Sequence, residues 1–319
     1  MGSNRKAKWP GWPRPNLRGK VAVVTGATRG AGRGIALALG ECGATVYVTG
    51  RSIRHQATTD NLPGTIEDTA EDVTARGGIG IPVRCDFTVE SDVRALFDRV
   101  KREEGGLDLL VNNAWGGYEG DGLRPSYFWE APLRLWDGMF VSGLRAHLLA
   151  SYFAIPLLMP APAKSGARRR ARRNASPGLI VSTVAWDHDK YIGSFYDVAK
   201  HAITRMIYGL ALELRQHNVA AVAVAPGFMR TERVLAQLGS TERNWRKNPR
   251  LKNTETPEYA GRGVALLAAD RGILRKSGKT FRAGELARLY KFTDVDGRRV
   301  PPFSVPPFDK VLAMLRKKR

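Results

Sequence analysis

The stretch "TGATRGAGRG", Thr25 to Gly34, sets four glycines into ten residues directly after the apolar run "VAVV". Glycine at this density marks backbone that turns through conformations closed to other residues and lets a neighbour approach closely. Outward from the turn, the upstream run reads as a buried strand and "GIALALGECG" has the spacing of a helix. "TVYVTGRS" then reads as a second, β-branched strand containing a glycine. Strand, turn, helix and strand within about 30 residues make a βαβ unit.

The alternation continues along the chain. "TIEDTAEDVTARGG" opens with Thr65 three residues before Asp68, a capping pattern, and closes on a glycine pair, so it reads as a helix. "IPVRCDF" reads as a short strand, "VESDVRALFDRVKREEGG" as an amphipathic helix and "LDLLVNNA" as an apolar strand opening into a loop. A helix from about Leu133 to Met159, the strand "GLIVST", a helix from about Tyr196 to Gln216 and the strand "VAAVAVAPG" complete the pattern. Strands alternating with helices predict an α/β fold, a Rossmann-type doubly wound parallel sheet covered on both faces, in one domain over residues 19–300. Residues 1–18 form a basic extension and 301–319 a Pro-rich, then basic, tail. Residues 161–177, within "APAKSGARRRARRNASPG", lie where a loop of about two to six residues is usual and read as a flexible basic insertion.

A formal charge of +21 raises the question of nucleic acid, and the distribution of charge answers it. Four acid-free segments, 1–20, 164–173, 243–252 and 310–319, hold 22 of the 51 Lys and Arg, and outside them acids and bases balance. Arg168 to Arg173 lack the interleaved aromatics of a nucleic-acid surface and read as a solvated loop. "FDKVLAMLRKKR" offers a membrane only a short apolar face. Binding to nucleic acid or a membrane surface through these segments is kept as an alternative class. No apolar run reaches the length of a membrane span, the longest candidate, "LLASYFAIPLLM" from Leu148, being interrupted by Pro156. The N-terminus carries charge without the apolar core of a secretory signal. Cys42 and Cys85 sit in predicted core elements without metal spacing, and His188 lies between Asp187 and Asp189 on an extended loop that cannot converge on one ion. A cytoplasmic protein without a metal is expected.

A strand, a glycine turn and a helix N-terminus together form a seat for a pyrophosphate, with backbone N–H groups aimed at it and the helix dipole favouring its charge. The spacing Gly26-x3-Gly30-x-Gly32 differs from the G-x-G-x-x-G fingerprint. At the end of the second strand an acid would accept from a ribose hydroxyl, whereas this chain has Arg51 and no nearby acid. Arg51 and Arg29, inside the turn, read as two guanidinium groups able to clamp one phosphate, which points to NADP rather than NAD. Farther on, "FYDVAKHA" places Tyr196 and Lys200 four residues apart on one helix face. A free phenol, with a pKa of about 10, is a poor proton donor and acceptor at neutrality; a neighbouring ammonium favours the phenolate and corrects this. Thr183 and Ser182, thirteen and fourteen residues before Tyr196 at a strand end, offer a hydroxyl for a substrate oxygen.

The pieces "TGATRGAG", "CDFT", "NNA", "STVAW", "YDVAK" and "PGFMRT", over about residues 19–235, resemble the short-chain dehydrogenase/reductase family in order and approximate spacing. The resemblance implies an oxidoreductase interconverting a carbonyl and a secondary alcohol. Gly26, Gly30 and Gly32 would then cradle the pyrophosphate, Thr28 and Arg29 would be further cofactor contacts, and Asp86 would bond the adenine. Asn112 and Ala114 would line the cofactor cleft, and Pro226, Gly227 and Thr231 would contact the nicotinamide half. Tyr196 would exchange the proton, Lys200 would hold the nicotinamide ribose and tune Tyr196, and Thr183 or Ser182 would bind the oxygen. A homo-oligomer through the two long helices is also implied.

Three positions depart from the family pattern. Thr183 stands where a serine is usual, Trp115 where "NNA" is usually followed by glycine, and Gly143 where many members place an asparagine of a proton relay. "VSGLRAH", the long segment after Arg51 and "YKFTDVDGRR" resemble the member-1-type branch and its bacterial relatives, which share the glycine and whose substrates are broad carbonyl compounds, steroids included. Aromatics crowd two regions expected near the cleft, Trp115, Tyr118, Tyr127, Phe128 and Trp129 in one loop and Trp186, Tyr191 and Phe195 before Tyr196, with Trp115, Trp186 and Tyr191 the candidate substrate contacts, so an apolar substrate is expected. The competing class is an NADP-binding regulatory or scaffold protein with little turnover, motivated by Gly143 and Trp115 and opposed by the intact Tyr196 and Lys200.

Overall fold

A computed structural model describes residues 11–117, 127–159, 176–185, 192–304 and 312–313. Most of the basic extension, insertion and tail, together with Tyr118, Trp186, His188 and Tyr191, lie outside the described residues. Seven parallel strands run β1 Val21–Val24, β2 Thr45–Gly50, β3 Ile79–Arg84, β4 Leu109–Asn112, β5 Gly178–Thr183, β6 Val219–Ala225 and β7 Thr280–Arg282. Their order across the sheet is β3-β2-β1-β4-β5-β6-β7. Every residue of β1, β4, β5 and β6 is buried, as parallel strands covered on both faces require. β3 begins earlier than "IPVRCDF" predicts and contains Pro82, which lacks a ladder donor; the edge of the sheet is where a strand tolerates that.

The helices are α1 Gly30–Glu41, α2 Ile66–Ala75, α3 Glu90–Glu104, α4 Ala146–Leu158, α5 Ser194–Leu214, α6 Glu232–Gln237, α7 Pro257–Ala269 and α8 Ala283–Tyr290. Thr65 caps α2 by accepting from the Asp68 N–H at 3.1 Å, the capping contact its spacing predicts. The helix expected from Leu133 is in two parts: a π-helical run over Asp137–Arg145 leads into α4. Together Asp137–Leu158 are long and apolar enough, by length and composition, to cross a membrane, which corrects the expectation that no segment is. Its inner stripe, Met139, Gly143, Ala146, His147, Ala150, Ala154 and Leu158, is buried as in a core helix.

Strand alternation divides the core in two. Val24, Val48, Val111 and Val181 pack on one face with Ile35 of α1 and Val264 of α7. Val23, Leu110 and Ile180 pack on the other with Ala150 of α4 and Ile203 of α5. Each fully buried aliphatic side chain contributes roughly 1.5–3 kcal/mol, so the two faces hold the sheet between its helices. Between β1 and β4 the strand order reverses, and the crevice beyond the carboxyl ends of these strands is where a doubly wound sheet offers a ligand site.

Candidate active site

The crevice holds a cavity of about 490 Å³. One end is the glycine turn between β1 and α1. Gly26 has φ +64°, and a Cβ there would lie 2.9 Å from Ala114 Cα, so only glycine serves both the turn and the close approach. Gly30, Thr28, Arg29, Arg51 and Asp86 line this end, and Asp86 Oδ1 is held by the Thr88 N–H and hydroxyl. Gly32 does not line the cavity; it lets α1 pack against the Gly26 carbonyl and the Asn113 side chain.

The N-terminus of α1 already accepts an anion. Glu232 Oε2 takes a hydrogen bond from the Gly30 N–H at 2.9 Å, and the next residue, Arg233, pairs with Asp60 across the same mouth. The contact places an anionic oxygen on the Gly30 N–H at the N-terminus of α1, the chemistry that a phosphate oxygen would share. Nothing in the local sequence marks Glu232; only the fold brings it 202 residues back to Gly30.

The two-arginine clamp is corrected. Arg29 spends its guanidinium on Ser52 Oγ and the carbonyls of Thr59, Leu62, Pro63 and Gly64, at 2.9 to 3.1 Å, and so fastens the loop after β2. Burial holds its pKa below the ordinary arginine value. Arg51 is exposed and lines the cavity.

Strand parity separates the paired candidates on β4 and β5. Asn112 and Ser182 are register partners that point toward α4, where Asn112 Nδ2 donates to Ser151 Oγ at 2.8 Å. Both are fully buried and neither lines the cavity. Their successors Asn113 and Thr183 do, because adjacent strand residues face opposite sides. The Asn112 expectation is therefore corrected to Asn113, whose Nδ2 donates to the Thr25 and Gly26 carbonyls at 3.1 and 3.0 Å. Of the two hydroxyls, only Thr183 faces the crevice.

The other end of the cavity is formed by Trp115, Thr183, Ile192, Tyr196, Lys200, Pro226, Gly227, Phe228, Met229 and Thr231. Asp197, in the first turn of α5, accepts from the Ile192 and Gly193 N–H groups at 2.9 and 2.8 Å and sets the entry of the helix that carries Tyr196 and Lys200. Both are 6% exposed. Lys200 Nζ lies 3.5 Å from the Thr183 carbonyl and 5.9 Å from the Tyr196 ring centre. Burial pulls its pKa down to about 7. His147, one turn along from Gly143, is fully buried and donates from Nε2 to the Ala114 carbonyl at 3.2 Å. Burial first, and then the Lys200 charge, push its pKa down to about 3, so it is neutral throughout the neutral range. Tyr127, Phe128 and Trp129 do not line the cavity, and among the described residues no cluster of metal-binding side chains occurs.

Behind Pro226 and Gly227 sits Glu255, whose Oε1 accepts from the Gly227 N–H at 2.8 Å. Burial, with the neighbouring Asp294 adding to it, raises its pKa to about 8 from a reference of 4.5. The folded state therefore binds a proton that the unfolded chain has lost, and stability present below about pH 4.5 declines as the pH rises to about 8. Glu255→Gln keeps the acceptor and removes the titration. Its denaturation free energy should lose a slope of about 1.4 kcal/mol per pH unit across that window, relative to the parent chain; equal slopes in the two proteins would contradict the assignment.

A profile of the short chain dehydrogenase family matches residues 20–241. Dehydrogenase/reductase SDR family member 1 of Mus musculus is 38% identical over 295 residues, covering 90% of this chain and 87% of its own. A short chain dehydrogenase of Mycobacterium thermoresistibile superposes with a TM-score of 0.72 at 23% identity, over 92% of this chain and 96% of its own. One from Burkholderia cenocepacia, solved in complex with NADP, superposes with a TM-score of 0.63 at 24% identity, over 84% and 97%.

Proposed function

The chain belongs to the short-chain dehydrogenase/reductase family, and from that membership we propose an NADP-dependent oxidoreductase that interconverts a carbonyl and a secondary alcohol on an apolar substrate. The observation that carries this reading is that one cavity joins the glycine turn to Thr183, Tyr196 and Lys200. Gly30 and its neighbours in the turn would hold the pyrophosphate, Asp86 the adenine, and Ala114, Asn113 and Thr231 the rest of the cleft. A nicotinamide bound there would exchange a hydride with the substrate carbon. The Thr183 hydroxyl donates to the carbonyl oxygen and orients it. Tyr196 delivers a proton to that oxygen as it gains charge, and in the reverse direction removes it. The Lys200 ammonium favours the phenolate form and so brings proton exchange into the neutral range.

The substrate class follows from the lining at this end, where Trp115, Ile192, Phe228 and Met229 present apolar surface. The test is nicotinamide oxidation against a panel of apolar ketones, aldehydes, quinones and steroids, with NADPH and NADH in parallel. Turnover with NADPH supports the reading; tight NADPH binding without turnover across the panel moves it to a cofactor-binding regulatory protein. Arg51 carries the preference for the 2′-phosphate. Arg51→Ala should weaken NADPH binding by roughly tenfold to a hundredfold, the worth of a hydrogen bond to a charged group, and leave NADH binding nearly unchanged. Parallel titrations check this, and equal losses for both nucleotides would remove Arg51 from the phosphate site.

A cytoplasmic homo-oligomer completes the proposal. Leu148 and Tyr152 on α4 and Val198 and Leu212 on α5 are exposed apolar side chains suited to a partner copy, and the free thiols Cys42 and Cys85 suit a reducing compartment.

A further inference from the structure

Gly143 is buried one helical turn before His147, and its neighbour in space is the indole of Trp115. A Cβ at position 143 would lie 2.6 Å from Trp115 Cζ3 and 2.7 Å from Cε3, so any side chain there displaces the ring. The face of that ring lies under Lys200, whose Nζ is 3.6 Å from its centre. The indole also meets Tyr196 edge to face, with centroids 5.6 Å apart and planes at 80°. Two of the three departures from the family pattern are thus one arrangement: the missing side chain at 143 makes the room that the large side chain at 115 fills.

We propose that Trp115 is a positioning residue for the reaction, its indole face seating the Lys200 ammonium beside Tyr196 in the space that Gly143 leaves open. An ammonium over an indole is attracted by the ring's negative face, more strongly when both are withdrawn from water. Lys200 needs such a partner. It is 6% exposed, and among the described residues its one hydrogen bond from Nζ is the 3.5 Å contact to the Thr183 carbonyl and no carboxylate pairs with it. Among the described residues, the titratable groups facing it are Tyr196 on its own helix, by the ring, and His147 on α4, which is neutral at neutral pH and so offers no counter-charge. The indole therefore adds a fixed electrostatic attraction to the charged form beside the long contact to the Thr183 carbonyl, and by packing on Tyr196 it holds the amine and the phenol in a common orientation. This inference rests on the oxidoreductase reading for its functional meaning but not for its test.

The test titrates Lys200 in the whole chain without substrate or cofactor, by trace acetylation with acetic anhydride and mass spectrometry of the peptide carrying Lys200. Without the indole the ammonium is less favoured, so in Trp115→Leu the midpoint of Lys200 acylation should fall by about one pH unit or more. Trp115→Phe, with a smaller aromatic face, should fall between Leu and the parent. Gly143→Ala should reproduce the shift with Trp115, Lys200 and Tyr196 all intact, because its methyl group pushes the ring aside. A midpoint in Trp115→Leu that stays or rises, or equal shifts for Leu and Phe in chains of unchanged circular dichroism, would overturn the proposal and leave Trp115 as packing alone. In carbonyl reduction the variants should move the pH profile of kcat more than KM. Absence of turnover in the parent chain sinks the oxidoreductase reading by itself, while a native midpoint in Trp115→Leu sinks only this one.

Discussion

Tyr196→Phe should lower kcat for carbonyl reduction by about 10² to 10⁴, while nicotinamide binding and stability stay close to those of the parent chain. The substitution deletes one oxygen. The ring keeps its edge-to-face contact with Trp115 and its place in a cluster with Met139 and Ala199, so packing is retained. What is lost is the group that moves a proton to the substrate oxygen, and the predicted range corresponds to roughly 3–5 kcal/mol of barrier. Thr183 and Lys200 remain, so residual turnover through oxygen binding and water is expected rather than none. Steady-state rates paired with a fluorescence titration of NADPH separate the two effects. A variant that keeps most of its rate would remove Tyr196 from the proton-transfer role.

The second large effect is expected at the turn. Gly26→Val places a β-branched residue at φ +64° and a Cβ 2.9 Å from Ala114 Cα and 3.2 Å from Ala114 N. The backbone conformation alone costs roughly 1–2 kcal/mol, and overpacking against fixed backbone adds about 1–3 kcal/mol. The strain falls on the segment that begins at Ala114 and carries Trp115, and on the turn that presents the Gly30 N–H. Stability should drop by about 3 kcal/mol, and NADPH binding by tenfold or more. Gly26→Ala, with the same φ and less bulk, should lie between. Urea denaturation and nucleotide titration check both, and a Val variant as stable as the parent chain would show that the close approach of the turn to Ala114 does not constrain the site.

Much of this architecture is readable from one chain. The apolar runs of β1, β4, β5 and β6 announce strands because burial on both faces leaves no polar position to confuse their period, and the Thr65 cap fixes the start of α2 because it is a local contact. Tyr196 and Lys200 are readable for the same reason, since four residues on a helix place two side chains on one face. The readings went astray where local pattern leaves two answers. "NN" and "ST" each offer two adjacent polar residues at a strand end, and the side facing the crevice depends on which face α4 covers, which no local spacing records; Asn112 was the wrong choice of the first pair, while Thr183, preferred over Ser182 in the second, lines the cavity. The helix read from about Leu133 is π-helical over Asp137–Arg145, a form of hydrogen bonding that leaves no plain mark in composition.

By itself, then, the sequence determined the fold class, the glycine turn and the Tyr–Lys pair, because each follows from contacts a few residues apart or from the period of burial. The tertiary structure decided the rest. It engaged Arg29 with the loop after β2, set the Glu232 carboxylate against Gly30, chose Asn113 and Thr183 over their neighbours, and joined Trp115 to Gly143 and Lys200. These are contacts across 23 to more than 200 residues, made by side chains whose types are common and whose meaning comes only from what the packed sheet and helices bring beside them.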